Sequence, residues 1–66
     1  MNTGAMIERG VIIRAENGRY CIRSFSRDGV VTPMIGAMGD HTYREGDRVY
    51  FFMFCDGNGL IIAEMT

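Results

Sequence analysis

The spacing of Gly-containing turn signals constrains this chain more than any other feature. They fall at Asn17-Gly18, Asp28-Gly29, Glu45-Gly46-Asp47 and Asp56-Gly57-Asn58-Gly59, with short apolar runs between them. Asn-Gly and Asp-Gly mark tight hairpins, because a type I′ turn needs two residues at positive φ and these residues tolerate it. Punctuated this often, 66 residues hold about five strands and no proper helix. The expected strands run from Ile7 to Ala15, Arg19 to Arg27, Val30 to Met38, Arg48 to Cys55 and Leu60 to Met65. The connection from Gly39 to Asp47 has space for one 3₁₀ turn at most.

The first hairpin can be tested by its register. With Asn17-Gly18 as a two-residue turn, Val11, Ile13 and Ala15 meet Ser24, Ile22 and Tyr20 on one face. The other face sets Glu16 against Arg19, Glu8 against Arg27, Ile12 against Arg23, and Gly10 against Phe25. Opposite charges facing each other across a ladder favour that register by roughly 0.2–1 kcal/mol per pair. A turn at Asp28-Gly29 then sets Ser26 against Val31, Ile22 against Ile35 and Tyr20 against Ala37. Pro33 has no N–H to donate and belongs at an edge or bulge. The expected core is Val11, Ile13, Tyr20, Ile22, Val31, Ile35, Val49, Phe51, Met53 and Ile62. A three-strand meander, a connection and a hairpin make one all-β domain over residues 1–66. Its expected form is a five-stranded antiparallel barrel, OB-like without a proper helix, with a Src-homology-type small barrel as the alternative.

A domain this small draws only about 3–5 kcal/mol from a single core and commonly adds disulfides, a metal or a partner chain. Cys21 and Cys55 are the only cysteines and are read as reduced, half-buried thiols, a single bridge being the alternative. With His41 they lack the paired spacing of a zinc site, so neither metal nor cofactor is expected. Self-association is left as the stabiliser. Seven arginines, no lysine and eight acidic residues give a net charge of −1, unlike the marked positive excess of a general nucleic-acid binder. No apolar run reaches the ~18–20 residues of a membrane span, and the polar, Gly-broken start does not read as a secretory signal. The expected setting is the cytoplasm, or an assembly built there.

From Arg44 to Glu64 the chain carries Gly-Asp-x-Val opening a strand and Asp-Gly-x-Gly closing a hairpin. This third of the sequence resembles the last two strands of OB-fold modules, both RNA-binding repeats of ribosomal-protein type and domains of phage tail and baseplate proteins. The resemblance implies the fold and an inward Val49, and carries over no catalytic residue.

The fourth strand is apolar on both faces. Val49, Phe51 and Met53 fill the barrel, while Tyr50, Phe52 and Phe54 point outward, joined from the fifth strand by Ile61, Ala63 and Met65. A monomer rarely exposes a patch of that size, so these six residues are the expected protein interface, toward copies of the chain or a larger assembly. Cover by the 39–47 loop and the Met1 to Met6 tail is the bland alternative. On the second strand, Arg14, Arg23 and Phe25 form the candidate contact for single-stranded nucleic acid, the competing function. Catalysis is not expected. His41 lies beside Asp40 in a polar turn with no nucleophile placed to meet it, and Ser24 and Ser26 read as inward core hydroxyls.

Overall fold

The computed structural model describes residues 7–65. Its strands are β1 (Ile7–Glu16), β2 (Arg19–Ser24), β3 (Gly36–Ala37), β4 (Arg48–Met53) and β5 (Gly59–Glu64), and no helix occurs among the described residues. They form one sheet in the order β2-β1-β4-β5-β3, curled into a half-barrel. Segment 30–35 spans the open side, bridging back to β2 at Arg23–Val31 and Tyr20–Ile35. The expected all-antiparallel arrangement needs correction. β3 runs parallel to β5, pairing Gly36 with Leu60 and Ala37 with Ile61, because the 39–47 connection crosses the sheet instead of turning back beside β3. Every other neighbouring pair is antiparallel.

β1 organises the sheet by pairing with β2 on one edge and β4 on the other. Its hairpin with β2 turns where the sequence places it, at Asn17 and Gly18, both at positive φ (51° and 77°). Ala15–Tyr20 and Glu16–Arg19 pair as expected. A bulge at Ile13 then shifts the register, so Ile12 meets Ile22, Val11 meets Arg23 and Gly10 meets Ser24. The extra residue reverses the alternation upstream of it. Ile12 is therefore core, whereas Val11 and Ile13 are half-buried. A second bulge at Ile62 acts the same way on β5, where Ile61 opposes Phe51 and is fully buried while Ile62 is not.

The third strand is shorter than its sequence pattern suggests. Ser24 ends β2 by accepting hydrogen bonds from the backbone N–H groups of Ser26 (3.1 Å) and Arg27 (3.2 Å), which folds 25–29 into a loop. Asp28 and Gly29 do have positive φ (57° and 81°), but the ladder closes on them at Ser24–Val30, not at Arg27. Val31 is consequently exposed, and Ser26 lies in the loop rather than in the core. Beyond it, Pro33 interrupts pairing. The Thr32 hydroxyl accepts the Ile22 N–H at 3.0 Å and donates to the Pro33 carbonyl at 2.8 Å, a side-chain patch in a broken ladder.

The core consists of Ile12, Tyr20, Ile22, Ile35, Tyr43, Val49, Phe51 and Ile61, with Ala15, Ala37 and Met53 packed against it. Tyr43 comes from the 39–47 connection and caps one end of the sheet. Its backbone N–H donates to the Tyr20 hydroxyl at 3.2 Å, and the two rings meet edge to face at 5.6 Å. The connection thus plugs the core end, while Tyr50 remains exposed and Phe52 is half-buried; the Met1 to Met6 half of that alternative lies outside the described residues. Among the described residues no helix is long and apolar enough to cross a membrane.

Two predictions follow from this packing. A Cβ on Gly10 would lie 2.5 Å from Ile22 Cγ2, 2.6 Å from the Arg23 carbonyl oxygen and 3.1 Å from the Phe51 ring. Gly10→Ala should therefore cost about 1–3 kcal/mol as overpacking, read as a lower urea midpoint. Burial raises the Tyr43 phenol above its ordinary 10.0, with Glu64 adding to the effect. The fold thus holds that proton more tightly than the unfolded chain. Its contribution is complete below the ordinary tyrosine value and is lost as pH rises through the folded one. Urea midpoints measured across alkaline pH should fall in that range, and fall less for Tyr43→Phe.

Candidate functional site

The pairing of β1 with β4 brings together two patches that the sequence presents as separate. On the outer face of the sheet, the ladder partners run in rows. Arg23 (β2), Val11 (β1) and Arg48 (β4) form one row. Phe25, whose N–H donates to the Arg9 carbonyl at 2.8 Å, forms the next with Arg9, Tyr50 and Ala63. Ile7, Phe52 and Leu60 form a third. Phe54 extends the wall, its ring 5.2 Å from that of Phe52 in an edge-on arrangement. Ile7, Phe25, Tyr50 and Phe54 are all exposed.

No acidic side chain stands in these rows. Arg9 and Arg23 make no ion pair among the described residues, and Arg48 borders a hollow that it shares with Asp47 and Glu64. The result is a mixed wall of arginines and aromatics.

Tyr50, Phe52, Phe54 and Ala63 stand on the outer face, and Met65 lies at its end, half-buried. Ile61 does not belong with them: the Ile62 bulge turns it into the core at 0% exposure. Arg23 and Phe25 are on the wall. Arg14 is exposed but already engaged, donating to Glu16 through Nε (3.0 Å) and Nη2 (2.6 Å). Glu16 and Arg19 remain ladder partners but form no ion pair, and Arg19 donates instead to the Met34 carbonyl at 3.1 Å. Arg9 and Arg48 take the place expected of Arg14. The signal for them is the β1–β4 contact, which only a closed strand order reveals.

Next to the wall, at the end of the sheet opposite Tyr43, lies a pocket of about 240 Å³. Its sides include Val30, Val31, Pro33, Met53 and Phe54, and Glu8 forms part of its lining. Glu8 is 5% exposed. Its Oε1 accepts from the Ser24 hydroxyl at 2.9 Å, and its Oε2 lies 2.8 Å from Arg27 Nη2. The expected Glu8–Arg27 attraction survives the register shift because the 25–29 loop folds Arg27 back over the strand end. A buried carboxylate needs such partners to stay charged at low cost. Locked in this way, Glu8 pins the loop and frames the pocket.

Elsewhere the titratable groups are dispersed. His41 is exposed, its ring 4.5 Å from that of Tyr43 and its Nε2 3.6 Å from Glu64 Oε1. Cys21 and Cys55 are free thiols; Cys55 is exposed, because the hairpin closes at Phe54 and leaves it in the turn. Among the described residues no three His, Cys, Asp or Glu side chains are grouped to hold a metal ion. No protein-family model matches this sequence, and no curated protein resembles it significantly.

Glu8→Ala should remove both the loop pin and the acceptor of a buried hydroxyl. A fully buried ion pair broken on one side costs about 3–5 kcal/mol, but Arg27 is 56% exposed, so about 1–3 kcal/mol is expected. Chemical denaturation gives the loss. Faster amide exchange at Ser26 and Arg27, whose N–H groups bond to Ser24, should locate it.

Proposed function

We propose that this chain is a non-enzymatic interaction module, an OB-type barrel that assembles with copies of itself or into a larger complex through its outer wall. The sheet order β2-β1-β4-β5-β3, with the segment before β3 bridging back to β2 at Val31 and Ile35, supports the OB-type assignment over the Src-homology-type alternative. It is a Greek-key order with one parallel contact rather than a simple meander. The resemblance of residues 44–64 to phage tail and baseplate modules fits an assembly role, in a component made in the cytoplasm.

One observation carries the functional reading: Ile7, Arg9, Arg23, Tyr50, Phe52 and Phe54 share a face with no acidic side chain among its rows. Arginine, tyrosine and phenylalanine are the residues enriched at protein interfaces, where their large apolar bodies bury area and their polar ends fix orientation. The ionisable groups of the pocket are committed to each other and to Ser24, which favours a structural use over proton transfer.

A second reading draws on the row Phe25–Arg9–Tyr50, which alternates stacking surface with positive charge as single-strand binders do. Two or three arginines neutralise few phosphates, so such binding would be weak and confined to low salt.

Sedimentation from low to high micromolar concentration separates the readings. The unmodified protein should gain mass and melting temperature as concentration rises, because association stabilises the folded chain by mass action. Phe52→Glu should yield a smaller, still folded species. A monomer whose melting temperature ignores concentration would refute self-association. Absence of binding to a labelled oligonucleotide at low salt would dispose of the second reading.

A further inference from the structure

The strand pairings put five of the seven arginines, Arg9, Arg14, Arg19, Arg23 and Arg48, on the outer face of the sheet. Three of them have company. Arg14 is taken by Glu16 and Arg19 by the Met34 carbonyl, while Arg48 shares its hollow with Asp47 and Glu64. Arg9 and Arg23 are exposed and make no ion pair among the described residues. A guanidinium presents five donors in a planar fork that matches a carboxylate.

The two are spaced for an extended chain. Arg23 pairs with Val11, so Arg9, two residues back along β1, lies diagonally across the ladder from it. Such diagonal neighbours stand about 7–8 Å apart. Alternate side chains of an extended strand repeat at about 6.8 Å, so two carboxylates separated by one residue reach both arginines. The ground around them is apolar: Val11 lies beside both, and Phe25, Tyr50, Ile7 and Phe52 occupy the row of Arg9 and the row beyond it.

We propose that the partner of this wall is an extended acidic segment of another protein, with alternate carboxylates on Arg9 and Arg23 and apolar side chains on Phe25, Tyr50 and Phe52. The proposal rests on the wall being an interaction surface and supplies the chemistry of what it meets. Two features favour polypeptide over nucleic acid. The positive region is short: beyond Arg23 and Arg48 the chain carries Glu16, Asp47 and Glu64, and beyond Arg9 the face is apolar. A longer polyanion would run onto those carboxylates or leave the arginines behind. Phe52 and Phe54 also turn the edge of one ring to the face of the other at 5.2 Å, which denies that face to a stacking base.

The probes are a fluorescent random copolymer of glutamate and tyrosine, poly-glutamate and oligothymidylate of matched length, read by anisotropy. The copolymer should bind more tightly than poly-glutamate, because it offers rings as well as charge, and added salt should weaken it. Arg9→Gln combined with Arg23→Gln should weaken copolymer binding about tenfold, the equivalent of two exposed ion pairs. Arg44→Gln, which removes an exposed arginine outside the wall, should leave it unchanged. Circular dichroism establishes that each variant is folded. A copolymer that does not bind at low salt, or that binds the double variant as well as the unmodified protein, overturns the proposal. Tighter binding of oligothymidylate than of the copolymer overturns it in favour of phosphate recognition. If the unmodified protein gains mass with concentration yet ignores the copolymer, the acidic partner is wrong and the interaction-module reading stands; if it does neither, both fall.

Discussion

Everything in this sheet depends on β1 serving two neighbours at once. Gly10 pairs with Ser24 on one side and Val49 on the other, and the space above it is filled by Ile22 and the Phe51 ring. A side chain there would force the two ladders apart, because the obstructing atoms include the backbone carbonyl of Arg23, which cannot rotate out of the way. The absence of a Cβ lets Phe51 sit at the centre and lets the sheet curl around it. The register that sets Gly10 against Val49 also sets Arg9 against Tyr50, so the inner and outer faces are fixed together by one strand pairing.

How much of this could be read from the sequence varies with the kind of signal. The Asn17-Gly18 hairpin is legible because its turn residues must adopt positive φ and few others do so without strain. The inner and outer faces of β4 are legible too, from its start in a fixed turn. The two bulges are not. Ile13 lies in Val11-Ile12-Ile13 and Ile62 in Leu60-Ile61-Ile62, runs that are apolar at every position. Alternation carries no phase through such a run, so an inserted residue leaves no trace and everything beyond it changes face. Tyr43 was hidden for a different reason. It is flanked by polar residues in a segment with no strand period, and only the tertiary contact with Tyr20 makes it core.

The candidate site shows the same division. Its aromatic half is visible because Tyr50-Phe51-Phe52-Met53-Phe54 exceeds what one buried face can absorb. The basic half depends on distant pairings. Arg14 and Arg23 look equivalent along the chain, yet Glu16 lies within reach of Arg14 alone. Arg9 looks like one charge of an ordinary exposed strand until β4 is placed beside it. Residues whose role comes from a neighbouring strand need topology before chemistry.

A net charge of −1 therefore says little about how this molecule meets others. Charges that nearly cancel in sum can still be sorted by position. Here Arg9 and Arg23 stand on the wall, while Glu8 is buried at one end of the sheet against Arg27 and Ser24. A large monopole would keep copies apart at every orientation. A nearly neutral chain with sorted charges has no such barrier, and its electrostatic interaction with any partner depends on orientation. Because the Debye length at physiological salt is about 8 Å, that preference acts only near contact. It bears on the geometry of an encounter rather than driving it, and the exposed aromatic and aliphatic groups beside the arginines are the area that the proposed association would bury.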